Sequence, residues 1–123
     1  MIKEDKLSPN ISIIIPTLNE SKNLPLILSD LVELSKESEI IIVDSISKDE
    51  TKDISCLYGA KFHKINLKNR GFQLNYGARK AKGRWLLFIH ADSRFKIGWS
   101  KEIKSILKKK SKFIYFFKFK FKN

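Results

Sequence analysis

Residues 11–20 read ISIIIPTLNE: four isoleucines and a serine, then a proline, then a polar cluster. A short, β-branched, nearly continuous apolar run is what a strand covered on both faces of a parallel sheet requires. Pro16 closes it, because proline lacks the N–H that a strand ladder needs. Residues 39–44, EIIIVD, repeat the pattern, and residues 84–92, RWLLFIHAD, repeat it again. Between the first two runs, Leu24, Ile27, Leu28, Leu31 and Leu34 fall at helical spacing, with Pro25 tolerated in the first turn. After the second run, Ser47 and Glu50 have the spacing of a capping box ahead of Ile54, Leu57 and Tyr58, and Gly59 supplies a stop. A weaker strand is expected at 61–65. A helix is expected at 70–82, with Phe72, Tyr76 and Ala78 as its packing residues and Gly83 as its end. Trp99, Ile103, Ile106 and Leu107 outline one more helix.

This alternation of strands and helices predicts an α/β fold: a three-layer α/β/α arrangement around a mostly parallel sheet, in which ligands bind at the carboxyl ends of the strands. The polar clusters fall at such ends. They are PTLNE after the first strand, DSISKDET after the second and HADS after the last.

A chain of 123 residues with 42% hydrophobic content is the size of one domain, 1–123. The amino-terminal MIKEDKLSPN holds no apolar run of signal-peptide length, and ISIII and WLLFI fall far short of the roughly 20 residues that span a bilayer. A cytoplasmic protein is expected, with at most peripheral contact at the inner face of a membrane. Cys56 is the only cysteine, so no internal disulfide forms, and it reads as a buried structural thiol on a helix. Of the net charge of +12, nine charges lie in residues 96–123, which hold ten lysines and one glutamate. The basicity belongs to the tail, and nucleic acid is not the expected partner. The chain closes on FIYFFKFKFKN, where Phe117, Phe119 and Phe121 alternate with Lys118, Lys120 and Lys122, as in a strand with one apolar and one solvated face. Such a strand needs a partner, so either a shortened chain or pairing with another subunit, as a homodimer or with a partner chain, is expected. Solvated lysines protecting a strand are the plainer reading of the tail. The alternative is a non-catalytic binding or assembly module that uses this end on a polyanion or a membrane surface.

No G-x-G-x-x-G follows a strand and no G-x-x-x-x-G-K-[ST] occurs. A diphosphate can instead be held by a divalent cation on a carboxylate together with an arginine, and Asp92 and Arg70 are the candidates. An aspartate at a strand end is also a common turn former or helix cap, and on that residue alone both readings stand.

Three motifs together resemble the nucleotide-binding half of the family-2 glycosyltransferases, which have the Rossmann-like GT-A fold. ISIIIPTLNE is similar to the family's first strand and loop, and the resemblance implies nucleotide contacts by Pro16, Thr17, Asn19 and Glu20. IIVDSISKDET is similar to the second strand and its V-D-x-G-S-x-D-x-T loop, which implies a base contact by Asp44 and places Ser47 and Asp49 in the site. NRGFQLNYGARKAKGRWLLFIHADS resembles the approach to the metal-binding D-x-D motif in a bacterial subgroup that carries H-A-D-[ST], with Arg70, Gln73, Asn75, Gly77 and Ala78 at the R-x-x-Q-x-N-x-G-A positions. The resemblance covers about residues 11–99, taken as the nucleotide-sugar-binding region within 1–99. It implies a nucleotide-diphosphate sugar as donor, transfer of the sugar to an acceptor, and Mn²⁺ or Mg²⁺ as cofactor with Asp92 as the metal ligand.

The chain departs from the pattern at three places. His90 stands where many members have the first aspartate of D-x-D, and is expected to hydrogen-bond ribose or phosphate, or to serve structure alone. Ile46 occupies a glycine-like position where a β-branched residue is disfavoured at positive φ, so the loop is expected to take another path. Residues 100–123 form a basic, Lys/Phe-rich end in place of the half that would bring the acceptor site and a carboxylate general base. The catalytic base is therefore unassigned, and Glu102, the sole acidic residue there, reads as an ordinary solvated side chain.

Overall fold

The computed structural model describes residues 9–109 together with Lys120–Phe121. Strand β1 (Ile11–Thr17) leads into helix α1 (Leu24–Leu31), a short 3₁₀ turn (Val32–Leu34) and β2 (Ser38–Asp44). Helix α2 (Thr51–Leu57), β3 (Lys61–Lys64), α3 (Arg70–Lys80) and β4 (Trp85–Phe88) follow, then the short β5 (Ser93–Arg94), α4 (Trp99–Leu107) and β6 (Lys120–Phe121). The sheet order is β3-β2-β1-β4, and all its pairings are parallel. The chain winds outward from β1 through β2 to β3, and α3 carries it back to the other side of β1. The order therefore reverses between β1 and β4, where a crevice opens at the carboxyl edge.

Alternate residues of β1 and β2 feed two cores. Ile11, Ile13, Ile15 and Ile42 pack under α1 and α4 with Leu24, Ile27, Leu28, Leu31, Ile103 and Leu107. Ile14, Ile41 and Val43 pack under α3 with Leu74, Tyr76 and Ala78. Helices thus cover both faces, giving the three layers expected from the sequence. Each fully buried aliphatic side chain contributes about 2 kcal/mol of transfer free energy. Helix α3 sits close: a Cβ on Gly77 would lie 2.5 Å from Ile14 Cγ2, so only glycine allows this approach.

Several expectations are corrected. Strand β4 is an edge strand of the described sheet, and Leu86 and Phe88, on the face that α3 packs against, are 43% and 42% exposed. Helix α3 ends at Lys80, and Ala81 turns to an extended conformation. Gly83 serves the sheet rather than the helix end, since a Cβ there would lie 2.6 Å from the backbone N of Ser12. Phe72 is exposed, and Gln73 and Gly77 are the buried residues of α3. Helix α2 presents small Thr51 and Ser55 to the interior, which leaves Leu57 and Cys56 outside, so Cys56 is an exposed thiol and not a buried one. The aromatic tail falls mostly outside the described residues. Lys120–Phe121 pair antiparallel with Ser93–Arg94 of the same chain, where a second subunit was one expectation. Among the described residues, no helix is long and apolar enough to cross a membrane.

Candidate functional site

The carboxyl edge of the sheet holds two aspartates in opposite situations. At the end of β2, Asp44 is 2% exposed and its oxygens are engaged. Oδ1 accepts from Thr17 Oγ1 (2.6 Å) and Ser47 Oγ (2.5 Å), and Oδ2 accepts from the Ser47 backbone N–H (2.7 Å). The loops after β1 and β2 are laced further by Asn19, whose N–H donates to Ser47 Oγ and whose Oδ1 accepts from the Lys48 N–H. Asp49 extends the seam. Its Oδ2 accepts from the Ser21 N–H, and its Oδ1 accepts from the N–H and hydroxyl of Thr51. Partial burial pushes the Asp49 carboxyl up, and the hydrogen bonds from Thr51 and Ser21 more than reverse this, bringing it down to about 2. The side-chain acceptor at the start of α2 is thus Asp49. Ser47 and Glu50 do not form the expected capping box; Ser47 belongs to the Asp44 knot, and Glu50 makes no side-chain cap bond.

Asn19 and Ile46, at φ of +54° and +56°, are the two non-glycine residues with positive φ among the described residues, and both lie in these laced loops. Asparagine tolerates the left-handed region; an isoleucine held there costs about 1–2 kcal/mol. The loop therefore follows the glycine-like path despite Ile46. It is pinned on each side, by Ser45 N–H to Thr17 O, Ser45 Oγ to Leu67 O and Ser47 N–H to Asp44.

The second aspartate lies across the switch point. Beyond β4, the chain turns at His90, whose carbonyl accepts from the Ser93 N–H. Asp92 Oδ1 is buried 2.5 Å from His90 Nδ1 but out of line for a hydrogen bond, and the Asp92 side chain as a whole is 40% exposed. Nδ1 lies 3.3 Å from the Asp92 N–H, its donor. Ser93 Oγ is likewise buried without a partner. Beside this turn lies a cavity of about 200 Å³ lined by Pro16, Arg70, Leu74, Phe88, Ile89, His90 and Ser93. One wall is apolar; Arg70, exposed at the start of α3, supplies the positive charge.

Pro16, Arg70 and His90 thus meet at one cavity with Asp92 at its margin. Gln73 does not join them: its Nε2 donates to the carbonyls of Val43 (2.9 Å) and Thr17 (3.2 Å), tying α3 to the ends of β1 and β2. Asn75, two residues on along the same helix, is exposed and turned away from Gln73. The Glu20 N–H donates to Thr51 Oγ1, and its side chain is half-buried. Asp44, for which a base contact was expected, is buried beneath Thr17 and Ser47. Glu102 is exposed on α4. Ser93, the last residue of the HADS cluster, was given no role in the sequence; its buried, unpartnered hydroxyl beside the cavity marks it.

No group of three or more His, Cys, Asp or Glu capable of holding a metal occurs among the described residues. The chemistry of the turn nonetheless suits a hard divalent cation: a partly exposed carboxylate, a buried carboxylate oxygen without a donor, and room for phosphate oxygens and water to complete the shell.

The sequence profile described as Glycosyl transferase family 2 matches residues 12–122. The chain belongs to glycosyltransferase family 2. Its family relatives include an uncharacterized glycosyltransferase of Rickettsia bellii, 39% identical over 104 residues, with 77% of this chain and 15% of the relative covered. A dolichyl-phosphate beta-glucosyltransferase of Trichomonas vaginalis is 31% identical over 123 residues, covering 85% of this chain and 38% of the relative. The family-2 chain described here therefore spans well under half the length of these relatives. S. aureus TarS 1–349, solved in complex with UDP, superposes with a TM-score of 0.72 at 24% identity over 80% of this chain and 32% of that fragment. The mannosyltransferase PcManGT of Pyrobaculum calidifontis, solved with GDP-Man and Mn²⁺, gives 0.65 at 21% identity over 80% of this chain and 32% of that one. These likenesses show the fold, which is that of the GT-A glycosyltransferases.

Proposed function

We propose that this chain is the nucleotide-diphosphate-sugar-binding part of a glycosyltransferase, taking the diphosphate of its donor at the β1–β4 switch point. The observation that carries this reading is the convergence of Arg70, His90 and Ser93 on one cavity at the carboxyl edge of a parallel sheet, with Asp92 beside His90. A volume of about 200 Å³ is below the roughly 300–1,000 Å³ of a complete small-molecule site, and suits a diphosphate with the rest of the donor lying along the edge. The UDP and GDP-Man complexes of structurally similar proteins support the same ligand class.

Asp92 would hold Mn²⁺ or Mg²⁺, which when bound neutralises charge on the diphosphate. Arg70, from the opposite wall, pairs with phosphate oxygens and stabilises them more as the bond to the sugar breaks and negative charge collects on the leaving group. Ser93 Oγ is placed to donate to an oxygen in the cavity. Leu74 and Phe88 keep that wall free of water. Deprotonation of the acceptor hydroxyl falls to a group outside the described site.

Calorimetric titration of the folded chain with UDP and with GDP, each with and without Mn²⁺, tests the proposal. Binding should depend on the cation, and Asp92→Asn should abolish that dependence at unchanged far-UV circular dichroism. A folded chain that binds neither nucleotide above background sinks it.

A further inference from the structure

We infer that the turn at 96–99, with the lysine stripe of α4 behind it, seats the protein on the surface of an anionic lipid bilayer. The inference is independent of the donor-binding reading above. The turn is built to hold its shape. The Trp99 N–H donates to Lys96 O (3.2 Å), and Gly98, at φ +87° and ψ −2°, has the left-handed third-position geometry of a type II turn. The rings of Phe95 and Trp99 stack at its base, 4.1 Å apart and 18° from parallel, and pack against the main core. Ile97, at the second position, is left wholly in water, with a relative exposure of 105%. That position accepts most residue types, so the turn itself does not call for an isoleucine.

Positive charge gathers around it. Residues 96–108 hold four lysines and one glutamate. Lys96 adjoins Ile97, and Lys101, Lys104 and Lys108 recur at helical spacing along α4, beside the buried stripe of Ser100, Ile103 and Leu107. Two carboxylates close to this region are already engaged: Asp30 accepts from Arg94, and Glu33 accepts from Ser100 Oγ. An exposed aliphatic side chain among ammonium groups is complementary to an anionic lipid surface, where the apolar tip enters the interface and the lysines meet headgroup phosphates. Single-stranded nucleic acid is the poorer match, because it takes ring faces for stacking, and the rings of Phe95 and Trp99 are stacked on each other.

The test is co-sedimentation of the full chain with vesicles of phosphatidylcholine carrying about 30% phosphatidylglycerol, against pure phosphatidylcholine. The anionic vesicles should be bound more than about tenfold more tightly, and raising the salt from about 0.1 M to about 0.5 M should release the protein. Ile97→Ser should weaken the binding about tenfold and Ile97→Leu should leave it within about threefold of wild type. Both should melt with the wild type, since the side chain they alter lies fully in solvent. Replacing Lys101, Lys104 and Lys108 together by glutamine should weaken binding about a hundredfold, at roughly fivefold for each charge. The same triple change at Lys52, Lys64 and Lys68, exposed on α2, β3 and the loop beyond β3, removes equal charge elsewhere and should leave binding within about threefold. A wild-type chain that binds both vesicles alike, or neither, overturns the inference. So does undiminished binding by Ile97→Ser, an equal loss in the two lysine triples, or tighter binding to poly(U) than to the anionic vesicles.

Discussion

Asp44 and Asp92 each follow a buried strand at the same edge of one sheet, and they end up chemically unlike. Asp44 accepts three hydrogen bonds and is all but shut away from solvent, whereas Asp92 is partly exposed, its buried oxygen approached only by the His90 ring and making no hydrogen bond. The difference comes from the neighbours. Strand β2 runs beside β1, whose Thr17 stands opposite Asp44 in register, and Ser47 folds back over the same carboxylate. Strand β4 lies at the sheet edge, and its following turn faces a cavity. A carboxylate satisfied by its own protein holds loops together; one left under-satisfied beside a cavity has capacity for a ligand.

Removing the closed carboxylate should have the largest effect. Asp44→Ala leaves the Thr17 hydroxyl and two Ser47 donors without an acceptor in a buried site, and is expected to lower stability by about 3 kcal/mol in urea unfolding. A loss under 1 kcal/mol breaks the comparison. Next comes the support of the open corner: Arg94 forms a two-pronged pair with Asp30 of α1 through Nε and Nη2. Arg94→Ala should lower stability by less than Asp44→Ala does and weaken cation-dependent nucleotide binding several-fold, measured by the same titration used for Asp92. The seam beside Asp44 has a pH signature. Because the Asp49 carboxyl is depressed from 3.8 to about 2, its contribution is complete above its unfolded value and disappears as the pH falls through about 2. Asp49→Asn should therefore flatten part of the stability loss between about pH 4 and pH 2. Part will persist, since Glu39 is also depressed: its burial, which acts upward, is outweighed by hydrogen bonds from Lys61, Ser12 and the Lys82 N–H. The smallest effect belongs to Asp92→Asn, within about 0.5 kcal/mol of wild-type stability, as expected of a surface position. If that variant unfolds as readily as Asp44→Ala, the two aspartates do not differ in role.

Strands β1 and β2 were legible because burial on both faces writes itself into every residue of the run. Helix α1 was legible because four buried side chains recur at helical spacing. Strand β4 looked the same in sequence yet lies at the edge, since whether a strand is covered depends on what packs beside it, which its own residues do not encode. Cys56 and Leu57 were misplaced for a related reason: α2 turns its small polar residues inward, reversing the usual apolar pattern over a helix only seven residues long. That Arg70 and His90 would lie together at the carboxyl edge was legible because charge and strand-end position coincide. That Asp44 would be buried was not legible, because its enclosure by Thr17 and Ser47 is a property of three residues meeting from two strands and a loop.

The two rims of the sheet differ in how they meet water. Strand β3 bounds one rim with exposed Lys61 and Lys64, charges that discourage another chain from adding on. Strand β4 bounds the other with exposed Leu86 and Phe88 beside a single neighbour strand. Handled at high concentration, this domain should self-associate from the β4 rim first, and a lysine at position 86 should raise its solubility more than one anywhere on β3.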